Sequence, residues 1–209
     1  ELVVVNDASW DDSAETLKSY LRRFPDSTEA PRVQLRVIES YRAGGFAGLV
    51  AQEKLLYLQR FAIGGQYWQG IGDTERAGIS NYLKQFTGEL ANYHHALAQQ
   101  QAAPGGKPAA AREHYLAAIN YYRAFIDSFP EDDQVADMGF LLGECLFEVG
   151  DYPGAISAYE WVAYDASENQ RAADAAYAAL LAYERLAPEA GTPGDRQRIA
   201  SERRFADTF

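Results

Sequence analysis

An aromatic residue followed, four positions later, by phenylalanine recurs along this chain, and four of the copies are Tyr20…Phe24, Tyr57…Phe61, Phe125…Phe129 and Phe205…Phe209. Two of the strings, YLRRF and YLQRF, are nearly identical. A four-residue step is about one helical turn, so each pair falls on one face of a helix. Of these four, the first two start 37 residues apart, and the second and third start 68 apart, close to two periods of about 34. A period of that size predicts stacked helical pairs, an α-solenoid, and a solenoid is more often a binding surface than an active site.

Apolar spacing fills in the helices between these marks. Leu17, Tyr20, Leu21 and Phe24 form a stripe that Pro25 ends, with Ser9 or Asp11 available as a cap. A second helix is expected at 29–41, stopping at Gly44-Gly45, and a third at 46–61. The Gly-rich stretch 64–73 interrupts the pattern. Ile79, Leu83, Phe86, Leu90, Tyr93 and Leu97 then recur at steps of three and four, predicting one helix over 74–100 that is about 40 Å long. APGGKP at 103–108 reads as the clearest loop, and further helices are expected at 109–129, 135–149, 153–164, 170–186 and 195–209, with a turn at 191–194. Residues 1–8 read as a short extended lead-in.

The expected fold is therefore all-α: a right-handed α-solenoid of antiparallel helix pairs with eight or nine helices. Residues 1–103 form a degenerate section, irregular in the middle, and residues 109–209 a more regular one, in one continuous array. The chain reads as a segment of a longer repeat protein.

Charge limits what such an array can bind. There are 19 basic and 30 acidic residues, a net of −11. That argues against a general nucleic-acid binder, which needs a basic face, and against docking on an anionic membrane. The acidity is concentrated: residues 127–174 hold 12 acidic residues and one basic residue, Arg171. No stretch approaches the roughly 20 apolar residues of a membrane span, so no membrane insertion is expected in this segment. The single cysteine, Cys145, lies in the apolar run 140–147 and reads as a buried structural thiol.

Residues 136–169 resemble a tetratricopeptide repeat. Leu142-Gly143 matches the family's large–small pair in the first helix. Gly150 and Tyr152 match the turn glycine and the aromatic after it. Ala155 and Tyr159 match the small residue and aromatic of the second helix. Glycine or alanine lets two helix backbones come close, and an aromatic fills the space beside them. A shift of 34 gives a weaker copy in which Tyr177 replaces Gly143, and Ser167 replaces the usual terminal proline. Upstream, Ala118, Tyr122 and Phe125 with Pro130 match a second helix and its proline. Within the class, the segment GDYPGAISAYE is similar to bacterial cell-envelope repeat proteins, such as outer-membrane assembly lipoproteins and periplasmic partners of the Tol–Pal system. That resemblance implies a periplasmic or outer-membrane-associated scaffold whose partners are proteins or peptides.

In this family the first helix of each pair lines the concave face, which would place Asp137, Phe140, Glu144, Phe147 and Glu148 in a groove. Such an acidic, aromatic-dotted groove suits a basic or amphipathic segment. The alternative is a solvated acidic face with two core phenylalanines. Trp68, in the Gly-rich loop, is a candidate interface anchor or a plug folded onto the core. His94 and His95 are adjacent and point about 100° apart, and no ligand stands four residues from His94 in either direction or from His95, so a metal site is not expected there. His114 stands isolated in the sequence. No catalytic arrangement or cofactor motif is found. The expectation is a non-catalytic scaffold. The alternative is a structural segment that self-associates, with a homodimer as its simplest product.

Overall fold

The computed structural model describes residues 10–166, 169–186 and 193–209; these form helices joined by turns, with no strand among them. Nine α-helices follow in order: α1 (Trp10–Arg23), α2 (Ala30–Ala43), α3 (Ala47–Arg60), α4 (Asp73–Ala102), α5 (Pro108–Ser128), α6 (Val135–Glu148), α7 (Tyr152–Glu160), α8 (Ala172–Leu186) and α9 (Pro193–Thr208). A 3-10 turn, Gln66–Gly70, precedes α4, and a π-helical turn, Trp161–Asp165, extends α7. Helices pack chiefly on their neighbours in sequence: α1 on α2, α2 on α3, and each of α5 to α8 on the next. The expected all-α class holds, and the helix ends fall within two residues of the sequence reading except at α7. There the extra residue of the π turn, marked by the Ala166 N–H donating to the Trp161 carbonyl at 2.8 Å, replaces the expected α-helical end. The expected lead-in at 1–8, a Ser9 cap, Ser167 and positions 191–192 lie outside the described residues. Among the described residues no helix is long and apolar enough to cross a membrane.

Contacts divide the chain into two compact units, Glu1–Phe86 and Thr87–Phe209, with the boundary inside α4. In the first unit, Leu17, Leu21, Val37, Ile38, Tyr41, Tyr57, Phe61, Ile79, Leu83 and Phe86 make the core. The Tyr57 and Phe61 rings pack at 4.7 Å, one turn apart on the chain. The same pairing recurs at Tyr20 and Phe24 (5.2 Å), Phe125 and Phe129 (5.5 Å), and Phe205 and Phe209 (5.7 Å). Each of these four pairs is therefore a ring pair at a helix C-terminus. The irregular stretch is closed by its own aromatics: Tyr67 packs on Phe61 at 4.9 Å and donates its hydroxyl to the Ser27 carbonyl at 3.1 Å.

In the second unit the small residues sit where helices meet. A Cβ placed on Gly143 would lie 2.5 Å from the Tyr159 ring, and one on Gly139 would lie 2.6 Å from the Trp161 ring. Ala155 is fully buried. Gly150, at φ +81°, makes the turn into α7, and the Asp151 carboxylate caps that helix by accepting from the Gly154 N–H.

The spacing in this unit is 37, not 34. Helices α6 and α8 begin at Val135 and Ala172, and α6 positions Met138, Gly139, Leu142, Cys145 and Leu146 share burial with Ala175, Ala176, Ala179, Ala182 and Tyr183. Helices α5 and α7 repeat Tyr115, Ala118, Ile119 and Tyr122 as Tyr152, Ala155, Ile156 and Tyr159 at the same interval. Three more residues than in a 34-residue period account for the difference.

These glycines predict opposite effects of one methyl. Gly78 in α4 has open space where a Cβ would point. Gly78→Ala is expected to stabilise by about 0.5–1 kcal/mol through helix propensity alone. Gly143→Ala gains the same propensity but drives a methyl into the packed Tyr159 ring, an overpacking worth about 1–3 kcal/mol. Its melting temperature should fall while that of Gly78→Ala rises, as read by thermal denaturation.

Candidate functional site

One face of α6 carries Asp137, Phe140, Glu144, Phe147 and Glu148, a spread of about 100° around the helix. Neither Phe140 nor Phe147 is wholly buried. The Phe140 ring packs on Tyr159 at 5.6 Å and the Phe147 ring on Tyr152 at 5.3 Å, so each rests one side on the core. Asp137 and Glu148 are exposed, and Glu144 is half-buried.

The loop before α8 reaches this face. Asn169 holds it in shape, donating its amide to the Val162 carbonyl at 3.1 Å and accepting the Arg171 N–H at 3.0 Å. Arg171 then donates from Nε to Asp137 Oδ1 at 3.0 Å, while its guanidinium carbon lies 5.0 Å from the centre of the Phe140 ring. Beside it is a recess of about 530 Å³ lined by Asp133, Ala136, Asp137, Asn169, Gln170, Arg171 and Asp174. Three carboxylates and one guanidinium line the recess. The only basic residue of the acidic stretch thus occupies a carboxylate-and-ring seat.

At the 37-residue interval, Asp137, Phe140 and Glu144 correspond to Asp174, Tyr177 and Leu181 on α8. Tyr177 is 56% exposed and Leu181 40%. The 34-residue shift obscured these residues, because it aligned Tyr177 with a buried glycine. The 37-residue step from Tyr20 to Tyr57 was the available signal.

Burial pushes the Glu144 carboxyl above its usual range; Arg171 pulls against this and the Glu148 charge adds to it. A carboxylic acid with a raised folded-state pKa stabilises the fold below its unfolded pKa, and that contribution is lost as pH rises through the folded value. Glu144→Gln is therefore expected to raise the melting temperature at pH 7 and to leave it unchanged near pH 4. Equal melting at both pH values would show that Glu144 is fully hydrated. Cys145, directly after it, is fully buried, and burial pushes its thiol up to about 12, as suits a structural residue.

Trp68 belongs to the first unit. Its indole N–H donates to the Phe61 carbonyl at 2.7 Å, and its own carbonyl accepts from Arg76 at 3.0 Å. Trp68 is thus half-buried, with only part of its surface accessible. His114, isolated in the sequence, is not isolated in the fold: its Nδ1 lies 3.1 Å from His94 Nδ1. Spacing along one helix could not reveal this, because the partner comes from α5. His95 faces the core. There Tyr122 donates its hydroxyl to Asn92 Oδ1 at 3.0 Å, so His95 Nδ1 donates to Tyr122 and His95 Nε2 accepts from Gln99.

No protein-family model matches the chain, and no curated protein matches it in sequence.

Proposed function

We propose that this chain is a non-catalytic protein-interaction scaffold of the tetratricopeptide kind, a right-handed α-solenoid that docks a basic or amphipathic segment along the exposed faces of α6 and α8. The observation that carries this reading is Arg171. One guanidinium already sits between the Asp137 carboxylate and the Phe140 ring, the contacts an arginine of a partner would make. Tyr177 and Leu181 supply exposed apolar anchors one helix away. The similarity of the α6–α7 motif to cell-envelope repeat proteins favours a periplasmic or outer-membrane-associated setting in a bacterium. Neither a cofactor nor a metal is needed for this role.

The test is fluorescence anisotropy with synthetic peptides carrying arginines spaced by aromatic residues, against acidic peptides of the same pattern. The basic set should bind, more weakly as salt rises, because rim charges are screened over about 8–10 Å at 0.1–0.15 M ionic strength. Equal binding of both sets would reject the acidic groove.

A second reading, self-assembly, is favoured by a different observation. Phe46, Leu49, Leu56 and Ile63, on and around α3, are all exposed large apolar residues of the first unit. Sedimentation equilibrium distinguishes the two: self-assembly requires a concentration-dependent dimer that charge reversal on α6 leaves intact.

A further inference from the structure

The two histidines that α4 and α5 bring together suit a function beyond packing. His94 and His114 face each other through their Nδ1 atoms at 3.1 Å. That separation fits a neutral hydrogen bond, one ring donating and the other accepting. It also fits the bite of a metal ion. Two nitrogens held 2.0–2.1 Å from one ion lie about 2.9 Å apart at a right angle and about 3.3 Å apart at the tetrahedral angle. The observed distance falls between.

The rings are held in place by their surroundings. His94 stacks on Tyr121, with centroids 5.7 Å apart and planes 14° apart, and meets the edge of Tyr93 at 5.4 Å. The His94 and His114 planes are 37° apart. Both side chains are half-buried, so the site is neither sealed from solvent nor a loose surface pair. His95 is unsuited to the task, since its two nitrogens engage Tyr122 and Gln99. The neutral imidazole is the form that ligates a metal ion, and a neutral pair is also what the Nδ1–Nδ1 hydrogen bond requires. Among the described residues no group of three or more His, Cys, Asp or Glu could complete a cage.

We propose that His94 and His114 form a two-point clamp for a divalent late first-row transition-metal ion, held by both Nδ1 atoms with water completing its coordination. On binding, the donating ring carries its proton on Nε2 instead of Nδ1. Both imidazoles then ligate as neutral groups, and no electron moves. Imidazole nitrogens suit copper, nickel and zinc, with copper(II) bound most tightly of the three. The ion would pin α4 to α5 near the Ala103–Lys107 loop. The clamp is independent of the docking face on α6 and α8.

The test uses the untagged chain with NiCl2, ZnCl2 and CuSO4 as probes, read by calorimetry and by thermal denaturation. The expected result is one ion per chain, a raised melting temperature, and the tightest binding for copper(II). His94→Asn and His114→Asn should each weaken binding by about tenfold or more, at least what losing an outer-sphere partner costs elsewhere. His95→Asn should melt lower yet still bind. Electron paramagnetic resonance of the wild-type copper(II) form should show two coupled imidazole nitrogens, a readout that requires no variant. Binding that survives the His94→Asn/His114→Asn double change would overturn the proposal, as would no melting shift with any of the three ions.

Discussion

Replacing Tyr57 with alanine is expected to cost the first unit about 3–5 kcal/mol, the range for deleting a fully buried aromatic side chain. Tyr57 has no exposed surface, and its ring meets Phe61 at 4.7 Å, Phe86 at 5.2 Å and Tyr82 at 6.2 Å. It therefore joins the end of α3 to the first half of α4, and no smaller side chain fills that space. Its hydroxyl is a different matter. The oxygen is buried and has no hydrogen-bond partner. A buried, unpaired hydroxyl costs about 1–3 kcal/mol by protein mutational data, so Tyr57→Phe should be neutral or stabilising. Tyr122 provides the contrast. It occupies an equally buried site in the second unit, but its hydroxyl pairs with Asn92 and His95. Tyr122→Phe orphans both partners and should cost about 1–3 kcal/mol. Urea denaturation of Tyr57→Ala, Tyr57→Phe and Tyr122→Phe checks all three. Similar losses for the two phenylalanine variants would mean that the Tyr57 hydroxyl is bonded after all.

The second large effect is expected at Lys18. Glu53 on α3 is buried, and three helices converge on it. Gln34 from α2 donates its amide to Oε2, and Lys18 from α1 lies 3.4 Å from Oε1. Gln34 in turn accepts from Arg60 at 3.4 Å, and Lys18 reaches Tyr41 at 3.4 Å. Lys18→Met removes a cation paired with a buried carboxylate. Breaking a buried pair costs about 3–5 kcal/mol, and the partial exposure of Lys18 reduces the expectation to about 2–3. Replacing Lys18, Gln34 and Glu53 together by apolar residues of similar size should recover most of that loss, because no charge is left unpaired. Lys18 is itself held protonated above its ordinary range. Burial opposes this, but hydrogen bonds to Glu15 and Tyr41 and the charge of Glu53 outweigh it. Its contribution is thus in place below the unfolded lysine value of about 10.4 and drains away as pH climbs beyond it. Melting of wild type and Lys18→Met should differ most at neutral pH and converge in strong alkali.

Much of the helix order was legible because each element is punctuated locally. Pro25 and Gly44-Gly45 end α1 and α2, and Pro108 and Pro153 open α5 and α7 in the first turn, where a missing N–H costs little. The Gly143–Tyr159 approach was legible too, because a small residue and an aromatic at fixed offsets have one packing solution. What could not be read were features made between helices. The hydrogen bond of His94 with His114 joins positions 20 apart, and that of Arg171 with Asp137 joins positions 34 apart. Neither pair lies on one element, so no periodicity announces it. The π turn at Trp161–Asp165 was missed for a related reason. Its residues have ordinary helical character, and what marks it is the Trp161 ring packed against Gly139. Among the candidate site residues, the α6 series was visible as an acidic and aromatic face, whereas Tyr177 and Leu181 on α8 became meaningful only once the 37-residue interval was measured.

Charge reversal decides whether the faces of α6 and α8 dock a basic segment. Wild type and the Asp137→Lys/Glu144→Lys/Glu148→Lys variant, shown first to melt alike, would be compared for capture of proteins from a bacterial envelope extract. Each captured segment would then be synthesised and its affinity measured. A basic or amphipathic segment should be held by the wild type and released by the variant, with cross-links mapping to residues 133–185. Equal affinity for both proteins, or cross-links confined to the first unit, would contradict docking on α6 and α8.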